Sequence, residues 1–147
     1  MASKFTFLAW LVTALTLVAL NGLFHGVAAA DFFDTHFAPL GDAVLKMADF
    51  RVVPVILLDF MLIFVLLVFI TRWRPEPVNV REAMRTGALF FFATSATWNI
   101  ANMATFVQWA PVVTVVDVTW HLLTGLLTGW LIAILFNRRW KTGMSAI

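Results

Sequence analysis

Apolar residues run along this chain in four long stretches, over 5–30, 52–73, 86–109 and 111–136, separated by short polar segments. Each exceeds the roughly 18 apolar residues that a helix needs to cross a hydrocarbon core of about 30 Å. The runs are continuous Leu, Val, Phe and Ala, not the short alternating segments of a membrane β-barrel, so the pattern predicts helices. The expected fold class is all-α: a polytopic membrane protein with four transmembrane helices in an antiparallel bundle, one domain over 1–147.

The first run imitates a cleavable signal peptide, because Lys4 precedes it and Gly26, Val27 and three alanines end it before Asp31. The stretch from Phe5 to Phe24 is nevertheless longer than a signal's apolar core of about 7–15 residues, and it is read as a retained span. Between the first two spans, Phe32, Phe33, Phe37, Leu40, Val44, Met47 and Phe50 alternate with acids and Lys46, which predicts a short helix lying in the membrane interface. The segment 72–85 contains Pro75 and Pro77 and reads as an exposed loop. Only Trp109 and Ala110 precede Pro111, so the last two spans should form a tight hairpin. Trp73, Trp109 and Trp140 fall at predicted helix ends, where an indole has an apolar body and a hydrogen-bonding tip.

Composition sharpens the picture: 62% hydrophobic and 12% charged residues, with a mean hydropathy of +0.92, lie far from a soluble domain. There is no cysteine, which excludes disulfides, thiol redox chemistry and thiolate metal sites. The formal charge of +2 bears on topology, and no nucleic-acid partner is indicated. With the N-terminus inside, the inner side holds Lys4, Arg72, Arg74, Arg81, Arg85, Arg138, Arg139 and Lys141, against Lys46 and Arg51 outside. That asymmetry predicts both termini in the cytoplasm and the interfacial helix outside.

Candidate chemistry lies within the spans. Counted from the helix ends at about 1.5 Å per residue, Asn21, His25, Asp59, Asp117 and His121 fall between about 8 and 15 Å beneath the outer boundary. Asn99 and Asn102 approach the same layer from below, and Trp98 and Trp120 flank it. Asp117, His121, Thr124 and Thr128 share one helix stripe, and Asn21 and His25 form an i, i+4 pair. An aspartate at bilayer depth costs about 2.5–3.5 kcal/mol, so such groups turn toward partners or a wet cavity. Gly22-x-x-x-Gly26 and Gly125-x-x-x-Gly129 adjoin these stripes and predict close approach of the first and fourth spans. Each hairpin also has asparagine in its first helix and aspartate in its second, a pattern that fits a parallel repeat or chance.

From Gly87 onward the chain resembles the small bacterial membrane proteins catalogued as domain of unknown function 2177. The resemblance rests on Gly87-Ala88-Leu89-Phe90, on the stretch from Ala96 to Thr105, on Trp109 and Pro111, and on Val115-Val116-Asp117-Val118-Thr119-Trp120, about 40% of the chain. Trp98, Asn99, Ala101 and His121 stand where that family carries Tyr, Asp, Thr and Gly. The resemblance implies the four-helix architecture in a bacterial inner membrane and points to Asn99, Asn102 and Asp117, without naming a reaction.

Three functional readings fit these residues. The first is an inner-membrane protein that binds a small or lipid-like ligand, or protons, through Asn21, His25, Asp59, Asn99, Asn102, Asp117, Trp120 and His121. The second is an accessory or structural subunit of a larger membrane complex, or a homo-oligomer, in the bilayer. The third is a membrane enzyme or transporter with a metal or proton-relay site, for which His25, His121, Asp59 and Asp117 supply nitrogen and oxygen donors. Against an enzyme, Gly-x-Ser-x-Gly, His-Glu-x-x-His and phosphate-cradling glycine loops are missing, and no cofactor is specified.

Overall fold

In the computed structural model, residues 2–44, 49, 51–72 and 77–144 are described, with side chains described for 6–44, 49, 51–72 and 77–138. They are helical almost throughout, with no strand among them. Helix α1 spans Ala2–Leu23 and passes into a π-helical turn, Phe24–Ala28. Helix α2, Ala30–Phe37, and a 3₁₀ segment, Ala38–Ala43, follow. Helix α3 is Val52–Arg72, α4 is Val80–Thr105 and α5 is Pro111–Met144.

Local chemistry sets these boundaries. Asn79 caps α4 by accepting from the Glu82 amide at 3.2 Å, satisfying one of the orphan donors of the first turn. Pro111 opens α5, where its missing N–H is not needed. The 3₁₀ segment turns at Gly41, whose φ of +56° suits a residue without Cβ. Part of the segment expected to form a short helix is helical as α2, and its Phe33, with Leu40 of the 3₁₀ segment, is turned inward. Met47, Phe50 and Trp73, and the side chain of Trp140, lie outside the described residues.

Among the described residues, three stretches are long and apolar enough to cross a membrane: Thr6–Ala28, Val52–Arg72 and Pro111–Arg138. The expected third span, 86–109, differs. Helix α4 starts six residues earlier, ends at Thr105, and at 26 residues has a length of about 39 Å. Its composition is less apolar because Arg81, Glu82 and Arg85 lie at one end and Thr94, Ser95, Asn99 and Asn102 at the other. The buried members Ala83, Gly87, Phe91, Ser95, Asn99 and Asn102 form a single stripe, so much of its polarity points inward.

That stripe packs on α5. A Cβ built on Gly125 would stand 2.5 Å from the Gly87 carbonyl oxygen; one on Gly87 or Gly129 would come closer still to the Gly125 or Ala83 carbonyl oxygen. Backbone meets backbone here, the close approach that small residues permit in lipid. The expectation for the glycine pairs is therefore corrected. Gly125 and Gly129 face α4 and not α1, while nothing lies within 4 Å of a Cβ on Gly22 or Gly26. Helix α1 still packs on α5, and also on α3, through Ala9, Ala14, Leu17 and a bond of 3.0 Å from Trp10 Nε1 to the Phe60 carbonyl.

Toward the end carrying Arg72, Arg81 and Arg138, the interior is apolar: Ile63, Leu66, Leu67, Ile70, Ile132, Ala133 and Phe136. Asn137 closes it by accepting from Val78 N at 2.9 Å and donating to Val78 O at 2.8 Å. Leu8, Leu15, Leu57, Met61, Phe64, Leu89 and Ile100 face outward, inverting the arrangement of a water-soluble core.

Candidate functional site

The polar residues gather at the other end, beneath α2. Asp117 of α5 is the hub. Its Oδ2 accepts from Ser95 Oγ and from Asn99 Nδ2 of α4, each at 2.7 Å. Its Oδ1 lies 3.2 Å from His25 Nε2 and 3.4 Å from His121 Nδ1. Three hydrogen-bond partners thus meet one carboxyl group, with the His121 imidazole beside them. Ser95 and Asn99 reach it together because they stand i, i+4 on the buried stripe, with Asn99 Nδ2 also donating to the Ser95 carbonyl at 3.0 Å.

His25 is placed by the π-helical turn. Widening the coil exchanges i+4 for i+5 bonding, as in the 2.7 Å bond from Ala29 N to Phe24 O. His25 Nδ1 lies 3.2 Å from the Asn21 carbonyl, which accepts from it in the tautomer that carries hydrogen there. Its opposite nitrogen then faces Asp117. Asn21, on the same side of α1, donates through Nδ2 to both oxygens of Asp59 at 3.2 Å and accepts from Trp120 Nε1 at 2.9 Å. The polar set thereby links α3, α1, α5 and α4 in one continuous run of contacts.

Asp59 differs from Asp117. It is only 4% exposed, and its hydrogen bonds among the described residues come from the single neutral amide of Asn21. His121 gives Nδ1 to the Asp117 carbonyl at 2.9 Å and stacks near Phe91, with ring centroids 6.2 Å apart. Asn99 is 1% exposed, and its Oδ1 has no donor among the described residues.

An aromatic layer covers the set. Phe24 stacks on Trp120 with centroids 4.1 Å apart, and Phe33 of α2 lies 5.0 Å from the His25 ring. Phe37 extends the layer to Trp109. The cover is incomplete: 26% of the His25 side chain and 15% of that of Asp117 are accessible.

Of the expected residues, Asn21, His25, Asp59, Asn99, Asp117, Trp120 and His121 come together. Asn102 is buried beside them, but its side chain makes no hydrogen bond among the described residues. Thr124 and Thr128 face inward as expected and bond to carbonyls of their own helix. Trp98 is 66% exposed and takes no part. Among the described residues, no three histidine or acidic groups converge as metal ligands would. Sequence reasoning missed Ser95, although its i, i+4 spacing to Asn99 was visible, and it missed Phe24 and Phe33 as the cover.

Apolar residues turned outward and polar ones turned inward on long helices define an all-helical membrane protein. The chain belongs to the predicted membrane protein family DUF2177, whose family model matches residues 6–134. The match covers most of the chain and corrects the narrower resemblance from Gly87 onward; apolar spans interchange Leu, Val, Ile and Phe freely, so short motifs stand out mainly where polar residues punctuate them. Every residue of the polar set lies within it. Neither a curated protein nor a solved structure matches the chain.

Proposed function

We propose that this chain is a four-span inner-membrane protein, with both termini in the cytoplasm, whose polar layer binds protons from the outer side. The observation that carries the reading is the position of His25 between two acceptors, the Asn21 carbonyl and Asp117. On this reading Nδ1 gives a hydrogen to the carbonyl, and a second hydrogen closes the 3.2 Å contact at Nε2. Either His25 is an imidazolium facing a carboxylate, or a neutral imidazole accepts from a carboxylic acid. In both cases the pair holds one proton in excess of imidazole plus carboxylate, and its partial accessibility lets that proton exchange.

The pairing of α4 with α5 supports the reading of four spans. Asn99 meets Asp117 toward one end, Ala83 meets Gly129 toward the other, and Val78 meets Asn137 beyond that. On this reading α4 runs antiparallel to α5 across the same thickness of bilayer. The bias of eight basic residues against two supports cytoplasmic termini. Access from one side is supported by the apolar packing of Ile63, Leu66, Ile132 and Phe136 between the layer and the basic end.

A second reading, an interhelical lock that exchanges no proton, is favoured by the same contacts, since they join four helices. Proton release on raising the pH distinguishes the two. Purified chain in lipid nanodiscs is expected to release one more proton per chain than either Asp117→Asn or His25→Gln. Equal release from all three, with each folded, supports the lock and contradicts proton binding.

A further inference from the structure

The geometry points to a site for an anionic phospholipid on the outward face of α3, with its phosphate on Arg72 and an acyl chain against Phe64, Val65, Val68 and Phe69. These residues line a shallow, open depression on one face of α3. At 100° per residue they fall on the side of α3 opposite Asp59, Ile63, Leu66 and Ile70, which are buried against the rest of the molecule. Phe64 and Phe69, both more than half exposed, flank the smaller valines, leaving an apolar recess in a surface already turned to lipid.

Charge selects the occupant. Arg72 is the last residue of α3 and lines the end of the depression. The 21 residues of α3 extend about 31 Å, close to the hydrocarbon thickness, so a guanidinium there sits at headgroup level. Phe64 is eight residues deeper, about 12 Å along the axis, within the length of a phospholipid tail. Guanidinium pairs strongly with phosphate, and an anionic headgroup offers that phosphate without the opposing charge of a choline. Each arginine near the membrane surface adds to the attraction for anionic lipid. The site depends on the ends of α3 lying at the two membrane surfaces and not on any proton held in the polar layer.

Native mass spectrometry of the full chain in mild detergent, titrated with phosphatidylglycerol or phosphatidylcholine of matched chains, tests the assignment. The chain is expected to retain one phosphatidylglycerol with about fivefold preference over phosphatidylcholine. Arg72→Gln should abolish the preference, and Val65→Trp, which fills the recess from an exposed position, should lower retention of both lipids. Arg81→Gln, at an exposed arginine away from the depression, should change neither. Equal retention of the two lipids by the parent chain overturns the proposal, as does a preference that survives Arg72→Gln or falls equally with Arg81→Gln.

Discussion

The two ends of the molecule hold helices together by different means. Near the basic end, α4 and α5 meet through Ala83, Gly87, Gly125 and Gly129, where nothing but backbone separates them. Beneath α2, the helices meet through side chains that reach across to Asp117 and Asp59. Lipid supplies no hydrophobic drive for helix association, so contact must come from dispersion at close range or from polar bonds. The first solution is rigid and cannot accept a larger residue. The second tolerates size but requires that each buried donor and acceptor be matched, and it brings ionisable groups into the interior.

The contrast predicts different responses to substitution. The largest effect should come from Gly125→Leu, which drives a side chain into the Gly87 carbonyl and separates α4 from α5. A loss of more than about 3 kcal/mol is expected, read as a failure to recover folded, monodisperse chain or as a much earlier denaturant midpoint. A midpoint near that of the parent chain would remove the seam from the account. Asp117→Ala should follow, at about 3 kcal/mol, because the donors of His25, Ser95 and Asn99 are left unpaired. Here the helices can still approach, so folded chain should be recovered with reduced thermal stability. Trp120→Phe keeps an aromatic ring for Phe24 to stack on and loses only the bond to Asn21, a change of about 0.6 kcal/mol in the same assay.

Much of the polar end could be read from the chain alone. Aspartates at positions 59 and 117 within apolar runs must turn inward, and counting from the helix ends brings them to one height. The occurrence of asparagine in the first helix and aspartate in the second of each hairpin was visible as well, but not that they touch, as Asn21 does Asp59 and Asn99 does Asp117. The cross-link from His25 to Asp117 was harder to foresee. His25 lies in the π-helical turn at Phe24–Ala28, which leaves no trace in a 3.6-residue periodicity.

The glycines were misread for a related reason. Spacing shows that a helix surface is small enough to be approached, not which neighbour approaches it, and Gly22 and Gly26 remain open while Gly87 carries the contact. Helix α4 begins ahead of the apolar run, with a charged first turn, where Asn79 and Glu82 have the spacing of a capped start.

The shared proton of His25 and Asp117 is the claim on which the functional reading turns, and imidazole ¹⁵N NMR of labelled chain in lipid reads it directly. In the parent chain His25 should show a protonated Nδ1 and an Nε2 engaged with a proton. In Asp117→Asn it should become a neutral ring with hydrogen on Nδ1 alone. A His25 spectrum that is the same in both, or an Nδ1 without hydrogen in the parent chain, would contradict the account.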